Sequence, residues 1–337
     1  MAALDLPDLD ELLTRAHVVS LPMRVRFRGV DHREALLIDG PSGWGEFAPF
    51  PEYDDLESSR WLAAGIEAAY AAWPAPVRDA VPVNATVPAV PAGEVGAVLA
   101  RFDGCTTAKV KVAERGQSLA DDLDRVAAVR VAMGPDARIR IDANGAWDVE
   151  TAVDALTKLA AYDLEYAEQP CATVEDLADL RKRLARNGVD VPVAADESIR
   201  KADDPLRVAA LEAADLIVVK VAPLGGAARA LEIVSATGLP AVVSSALDTS
   251  VGIAAGVAFA AALPTLEHAC GLGTVGLFER DVAADPLRPV AGLLRPSRPE
   301  PAPRAITDLA ATEDRQQWWS DRLARCHAVL AAEGGAA

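Results

Sequence analysis

The chain has 337 residues, 51% hydrophobic and 25% charged. That is the make-up of a folded globular protein rather than a disordered or fibrous one. Its 33 basic residues face 50 acidic ones, for a formal net charge of -17, which disfavours nucleic acid and anionic lipid surfaces as partners. At roughly 150 residues per domain, this length predicts two domains, or one large barrel with an appendage.

Met1 to Glu11 carries four acids and no base, so no secretory leader is expected. Residues 18–50 read as strands, with Val25–Phe27 and Ala35–Ile38 bounded by Gly29, Asp31 and Asp39-Gly40. Leu56–Trp73 reads as a helix closed by Trp73-Pro74-Ala75-Pro76. Residues 1–80 are therefore expected to form a small α+β domain. From Val81 onward, short β-rich runs alternate with alanine-rich helical stretches. The runs are Val83–Val87, Ala108–Val112, Ile139–Asp142, Leu164–Glu168, Val191–Ala195, Leu216–Val219, Ala241–Ser244 and Leu266–His268. The helical stretches include Ser118–Met133, Glu150–Tyr162, Val174–Arg186, Pro205–Ala213 and Ala227–Ala236. Eight β units predict a (β/α)8-type barrel over residues 81–290. An open doubly wound sheet also alternates in this way, but no G-x-G-x-x-G follows the first strand. The apolar run Val251–Leu263 falls short of the ~20 residues that span a bilayer. The last segment, residues 291–337, is Pro/Arg-rich and then helical from Arg315 to Ala332, and is expected to pack back on the first domain. Cys105, Cys171, Cys270 and Cys326 are far apart and include no C-x-x-C. They suit a reducing cytoplasm.

Barrel active sites lie at the C-terminal ends of the strands. The ionisable residues there are Lys109, Lys111, Asp142, Glu168, Asp196 and Lys220. Gaps of 31, 26, 28 and 24 residues separate Lys111, Asp142, Glu168, Asp196 and Lys220. Each gap is about one βα unit, so these side chains recur at one height around the barrel. A single acid after a strand is usually a helix cap or a solvated charge. Three in step would converge and repel unless a cation lies between them. Oxygen donors without histidine select Mg²⁺, with Mn²⁺ as a substitute, over zinc.

Only six basic residues are lysines: Lys109, Lys111, Lys158, Lys182, Lys201 and Lys220. A metal flanked by lysines suits removal of a proton next to a carboxylate. Burial and neighbouring cations can bring a lysine to ~7–8, which arginine cannot match. Lys111 is the expected base; Lys109 is either a direct participant or a counter-charge. Asn144 and Glu197 lie beside the acids. Gly225-Gly226 is either an anion-binding helix start or a tight turn. Ser244-Ser245 and Asp248-Thr249-Ser250 are candidates to bond a substrate carboxylate. His268 and Cys270 either line the mouth or are satisfied barrel residues. His17, His32 and His327 are scattered, and neither G-x-S-x-G nor a P-loop occurs.

The K-V-K of Lys109–Lys111, I-D-A-N-G-A-W of Ile141–Trp147, Y-A-E-Q-P of Tyr166–Pro170, A-D-E-S of Ala195–Ser198 and V-V-K-V of Val218–Val221 resemble the enolase superfamily. They are most similar to its muconate-lactonizing-enzyme subgroup, as is G-W-G-E of Gly43–Glu46. The resemblance implies a (β/α)7β barrel with an α+β N-terminal capping domain completed by the C-terminal segment. It implies Mg²⁺ on Asp142, Glu168 and Asp196, with Lys111 and Lys220 as acid/base pair. Met23–Glu34 and Ser244–Gly252 look most like the actinobacterial branch of that subgroup that serves menaquinone synthesis. That branch dehydrates 2-succinyl-6-hydroxy-2,4-cyclohexadiene-1-carboxylate to 2-succinylbenzoate. The implied reaction is a syn-elimination through a metal-stabilised enediolate, with Lys220 as a cation or a second proton carrier. The capping loops at Arg24–Arg28 and Phe47–Tyr53 are expected to close over the succinyl tail. The alternative is a racemase of N-succinylamino acids on the same residues. A non-catalytic barrel that keeps its metal for stability, and a phosphate-binding enzyme using Gly225-Gly226, are further readings. The expected partner is a small carboxylate substrate, with no nucleic acid or membrane; the oligomeric state stays open.

Overall fold

The computed structural model describes residues 6–200 and 205–334. Met1–Asp5 and Lys201 lie outside these residues. A short helix α1 (Leu9–Thr14) leads into three antiparallel strands, β1 (Ala16–Phe27), β2 (Val30–Gly40) and β3 (Gly43–Phe47), paired in that order. Helix α2 (Asp55–Tyr70) covers them, its start capped by the Asp54 side chain accepting from the Glu57 N–H. The helix stops at Tyr70, short of the expected Trp73. Ala71 is already extended, and Pro74 disfavours a helical Trp73. Glycine at position 45 lets α2 lie close on β3: a Cβ there would sit 1.9 Å from the Gly65 carbonyl oxygen.

A two-residue strand β4 (Val81–Pro82) opens the second unit. Seven parallel strands follow, paired consecutively: β5 (Ala85–Val87), β6 (Thr107–Lys111), β7 (Arg138–Asp142), β8 (Leu164–Glu168), β9 (Val193–Ala195), β10 (Leu216–Lys220) and β11 (Ala241–Ser244). The helices between them are α3 (Val95–Leu99), α4 (Leu119–Met133), α5 (Val149–Leu159), α6 (Val174–Asn187), α7 (Glu197–Arg200), α8 (Arg207–Ala210), α9 (Val221–Leu224), α10 (Ala227–Thr237) and α11 (Ser250–Ala262). Pro205–Ala213, expected as a full helix, forms only the single turn α8, because Glu212 takes a left-handed φ of 51°.

The eighth strand is a correction to the sequence reading. Leu266–His268 is not a strand. The ring is closed instead by Cys270 and Gly271, through parallel bridges Val83 to Cys270 and Ser244 to Gly271. Asn84 N donates to Cys270 O and Gly271 N donates to Val243 O. His268 is held away from the mouth: its Nδ1 is 2.8 Å from Glu165 Oε1, at the opposite end of β8 from Glu168.

Register decides which side chains meet. Lys109 pairs with Arg140 and Arg140 with Tyr166; two residues on, Lys111 pairs with Asp142 and Asp142 with Glu168. Alternation along each strand puts both sets inside the barrel, one layer above the other. The deeper layer holds Arg140, which is fully buried. It donates to Tyr166 OH and Ala269 O, both at 2.8 Å, and its Nη2 lies 2.5 Å from Glu165 Oε2. Burial opposes ionisation of Glu165, yet His268 and Arg140 outweigh it and bring the carboxyl down to about 2.

The apolar run seen in the sequence becomes α11, buried on nearly every side and packed against β11, α9 and β3. Among the described residues no helix is long and apolar enough to cross a membrane. The chain ends with β12 (Leu293–Leu294), which pairs with β4, then α12 (Pro303–Asp308) and α13 (Glu313–Gly334). Helix α13 lies against α2 and β1. Its Trp319 is fully buried, meets Phe47 edge-on at 5.6 Å and donates Nε1–H to Glu34 at 2.9 Å. Arg322 donates to the carbonyls of Phe50 and Tyr53.

Trp319→Ala removes that ring and leaves Glu34 with one bond fewer. It is expected to destabilise the chain by roughly 3–5 kcal/mol, read as a lower urea midpoint; an unchanged midpoint would show that α13 adds nothing to the first unit.

Candidate active site

At the C-terminal ends of the strands lies a small chamber with about 20 Å³ of free space, room for about a single water. Its polar lining is Arg28, Thr86, Lys109, Lys111, Asp142, Asn144, Lys220, Ser244, Ser245 and Thr274; Phe27, Ala246, Leu247 and Gly271 complete it. Glu168 and Asp196 lie beneath, fully buried. The strand ends thus bring together the lysines and acids that the spacing singles out. Thr86, in the middle of β5, and Thr274, in the segment after the ring closes, carry no charge and stand outside the spacing that marks the other strands.

The charges interlock. Lys109 Nζ lies 3.0 and 3.1 Å from the two Glu168 oxygens and 3.2 Å from Asp142 Oδ2. Burial disfavours its charge, but Glu168 and Asp142 outweigh burial and hold Lys109 above the usual lysine range. That geometry favours the counter-charge reading of Lys109. Lys111 Nζ donates to Asp142 Oδ2 at 2.5 Å and to Asn144 Oδ1 at 2.6 Å. Burial, aided by the charge of Lys109, holds Lys111 below its ordinary value, although Asp142 pulls the other way. Lys220 donates to Asp196 Oδ2 from the far side of the ring.

The acids divide in the same way. Burial opposes ionisation of Asp142, yet Lys111 and Lys109 outweigh it and keep its carboxyl low. Lys220 and Arg200 do so for Asp196 against the same burial. Burial and the charge of Asp142 push Glu168 up to about 7. Gln169, which follows Glu168 with a left-handed φ of 39°, ties the acids together. Its Oε1 accepts from Asp196 N at 2.9 Å and Ser198 N at 3.2 Å. Glu197 accepts from Asn144 Nδ2 at 3.3 Å and from Arg200 at 2.7 Å.

The donor set fits a hard divalent cation by chemistry. It is all carboxylate, and Asp196 Oδ1 is buried without accepting a hydrogen bond. Lysine ammoniums bond both Glu168 oxygens and Oδ2 of Asp142 and Asp196, Asp142 Oδ1 accepts from Asn144 N at 3.0 Å, and Arg200 Nε lies 3.3 Å from Asp196 Oδ1; among the described residues no three His, Cys, Asp or Glu side chains stand together as a ready cage.

Several expected site residues are engaged elsewhere. Gly225 and Gly226, with φ of 91° and 119°, do precede a helix start. The anion there is the chain's own: Glu67 of α2 accepts from Ala227 N at 2.6 Å and Ala228 N at 3.4 Å. A Cβ at Gly226 would lie 2.6 Å from Glu67 Oε2, so this glycine makes room for a carboxylate, not a substrate. Asp248, Thr249 and Ser250 do not line the chamber. Asp248 accepts from Ala246 N, Thr249 donates from N and Oγ1 to Glu46 of β3, and Ser250 N donates to Asp281. Of the polar residues named there, Ser244 and Ser245 reach the chamber. Ser245 Oγ is bonded to Gly271 O at 2.8 Å and lies 2.9 Å from Thr274 Oγ1.

Residues 94–301 match the family described as enolase C-terminal domain-like, and residues 18–69 match enolase N-terminal domain-like. The chain is 59% identical over 325 residues to the o-succinylbenzoate synthase of Mycolicibacterium smegmatis, covering 96% of this chain and 98% of that one. It is 58% identical over 326 residues to the o-succinylbenzoate synthase of Mycobacterium leprae, covering 96% and 95%. The fold is shared with the muconate lactonizing enzyme of Pseudomonas fluorescens, solved with muconolactone (TM-score 0.74, 20% identity, 88% of this chain and 98% of that one). It is also shared with the N-succinyl Arg/Lys racemase of Bacillus cereus (TM-score 0.72, 18% identity, 88% and 97%).

Glu46 supplies a pH test of the joint between the two units. Burial and the charge of Asp248 push its carboxyl up to about 8. The folded chain therefore keeps a proton that the unfolded chain releases near 4.5. The contribution of this group is greatest below pH 4.5 and falls as pH rises toward about 8. Urea midpoints at pH 5 and 8 are expected to fall less in Glu46→Gln than in wild type; equal slopes would contradict the shift.

Proposed function

Because this chain belongs to the o-succinylbenzoate synthase family of the enolase superfamily, we propose that Lys111 is the base of that family's dehydration. The chain is an enzyme, a hydro-lyase. It converts 2-succinyl-6-hydroxy-2,4-cyclohexadiene-1-carboxylate to o-succinylbenzoate. The observation that carries the roles is the placement of Lys111 and Lys220 on opposite sides of one chamber, with the three acids on the strands between them.

Lys111 is a base because its charged form is disfavoured by burial and by Lys109, and its Nζ already faces the chamber. It takes the proton next to the substrate carboxylate, and the C–H electron pair moves into that carboxylate. The ammonium so formed returns the proton to the hydroxyl on the same face as the C–O bond breaks. Water leaves and the ring becomes aromatic, so no oxidant or reductant is needed. Lys220, held by Asp196, presents its charge from the far side. Asp142, Glu168 and Asp196 would hold Mg²⁺, or Mn²⁺ in its place, which when bound supplies positive charge beside the carboxylate as the proton leaves. Lys109 bridges Glu168 and Asp142 and offsets part of their mutual repulsion.

The hairpin turn at Phe27-Arg28 separates the chamber from an outer recess of about 230 Å³ lined also by Arg26, Glu52 and Glu114. Arg28 lies 4.4 Å over the Phe50 ring and reaches Tyr53 OH at 3.4 Å. The hairpin moves to admit substrate, and Arg28 then meets the succinyl carboxylate. Four free cysteines fit a cytoplasmic enzyme, and the step belongs in menaquinone synthesis.

The test is absorbance loss of the cyclohexadiene substrate with purified protein and Mg²⁺. The expected result is fast, EDTA-sensitive loss that falls roughly 10²- to 10⁴-fold in Lys111→Ala. Retained turnover in that variant would remove Lys111 from its role.

A further inference from the structure

Two buried residues of α4 act on the backbone around Lys111, and nothing in the chemistry above uses them. Arg125 is 1% exposed and Asp122 is 2% exposed. Arg125 Nη1 donates to the Lys111 carbonyl at 2.9 Å and to Asp122 Oδ1 at 2.8 Å. Its Nε donates to Val90 O at 2.6 Å, and its Nη2 to Gln117 Oε1. Asp122 Oδ2 accepts from Ala113 N at 2.9 Å. The pair therefore holds the C=O of residue 111 and the N–H of residue 113.

This is where β6 ends. The Val112 N–H still donates to Asp142 O at 3.0 Å. Ala113 then turns to a left-handed φ of 58°, a conformation an alanine adopts only where its surroundings enforce it. Released from Asp122, Ala113 would relax toward ordinary backbone, and the last peptides of β6 would turn with it. A buried ion pair is a poor source of stability compared with apolar packing; here its spare bonds go to the backbone that carries the base.

We propose that Asp122 and Arg125 are positioning residues that set the aim of Lys111 into the chamber, an inference that rests on Lys111 being the base. A displacement on the order of 1 Å at a reacting group can cost about 10²-fold in rate. The expected signature is a loss in kcat with KM little changed.

Asp122→Asn keeps the shape and weakens the clamp; Arg125→Lys keeps the charge and removes the fork, and serves if the first variant fails to fold. Leu180→Ala, at a buried position of α6, controls for general destabilisation. Kinetics with substrate carrying deuterium at the α-carbon, and amide exchange over residues 107–117, are measured for each. In the clamp variants kcat is expected to fall about 10- to 100-fold, the isotope effect to rise, and exchange protection near Lys111–Ala113 to drop. Leu180→Ala should lower the melting point and leave kcat and the isotope effect alone. Wild-type kcat and isotope effect in both clamp variants, with Lys111→Ala inactive, would overturn the clamp and spare the base. A wild type without turnover would overturn the base; unchanged exchange protection in the clamp variants would then overturn the clamp as well.

Discussion

Three carboxylates and three ammoniums share one desolvated layer at the mouth of the barrel, and the rest of the structure depends on their balance. An isolated charge at such depth is far too costly to keep, so each group survives only through its neighbours. Strand register supplies them: Lys111 stands opposite Asp142, and Asp142 opposite Glu168. Lys109 bridges two of the acids and Lys220 holds the third. The balance is uneven by design of the packing. Asp142 and Asp196 are kept low, while Glu168 is pushed up to about 7. The surroundings press Lys111 below its ordinary value and hold Lys109 above it. Beneath this layer Arg140, Tyr166, Glu165 and His268 form a second set of paired polar groups.

The first unit of the chain supplies Phe27 and Arg28 to the chamber and braces the barrel loop on its other side. Glu46 and Glu67 place carboxyl groups at the starts of α11 and α10, where they accept from otherwise unpaired backbone N–H groups. Arg33, buried, donates to the carbonyls of Leu247 and Ala48. These contacts hold the loop after β11, which brings Ser244, Ser245 and Leu247 to the chamber. The same sheet carries the Phe27-Arg28 turn over the opposite wall. Tyr53 lies between Arg28 and Arg200, and Arg200 in turn faces Asp196. The Phe27-Arg28 turn and the acid layer are thus linked through one aromatic hydroxyl.

Much of this was legible in the sequence, for a definite reason. A βα unit repeats at nearly constant length, so side chains at equal height recur at nearly constant spacing. Lys111, Asp142, Glu168, Asp196 and Lys220 announce themselves by that rhythm. What was not legible depends on partners far away in the chain. Gly225-Gly226 has the form of an anion site, but Glu67 fills it from about 160 residues upstream. Asp248 and Thr249 have the chemistry of substrate ligands, but Glu46 and Arg33 reach that loop first. The β/α alternation marks Leu266–His268 as the eighth strand, whereas the ladder bonds fall on Cys270 and Gly271. Arg125 and Arg140 read as helix and strand charges; only the fold shows that both are buried. Gln169, by contrast, directly follows Glu168 in the sequence.

The central claim is that the carboxylates hold the cation while the lysines handle charge and protons. Mn²⁺ binding, followed by electron paramagnetic resonance, tests it most directly across wild type, Asp142→Asn, Glu168→Gln, Asp196→Asn and Lys111→Ala. The account predicts that each carboxylate substitution weakens binding and that Lys111→Ala binds at least as tightly as wild type. Binding that survives loss of the carboxylates, or that disappears with Lys111, would contradict it.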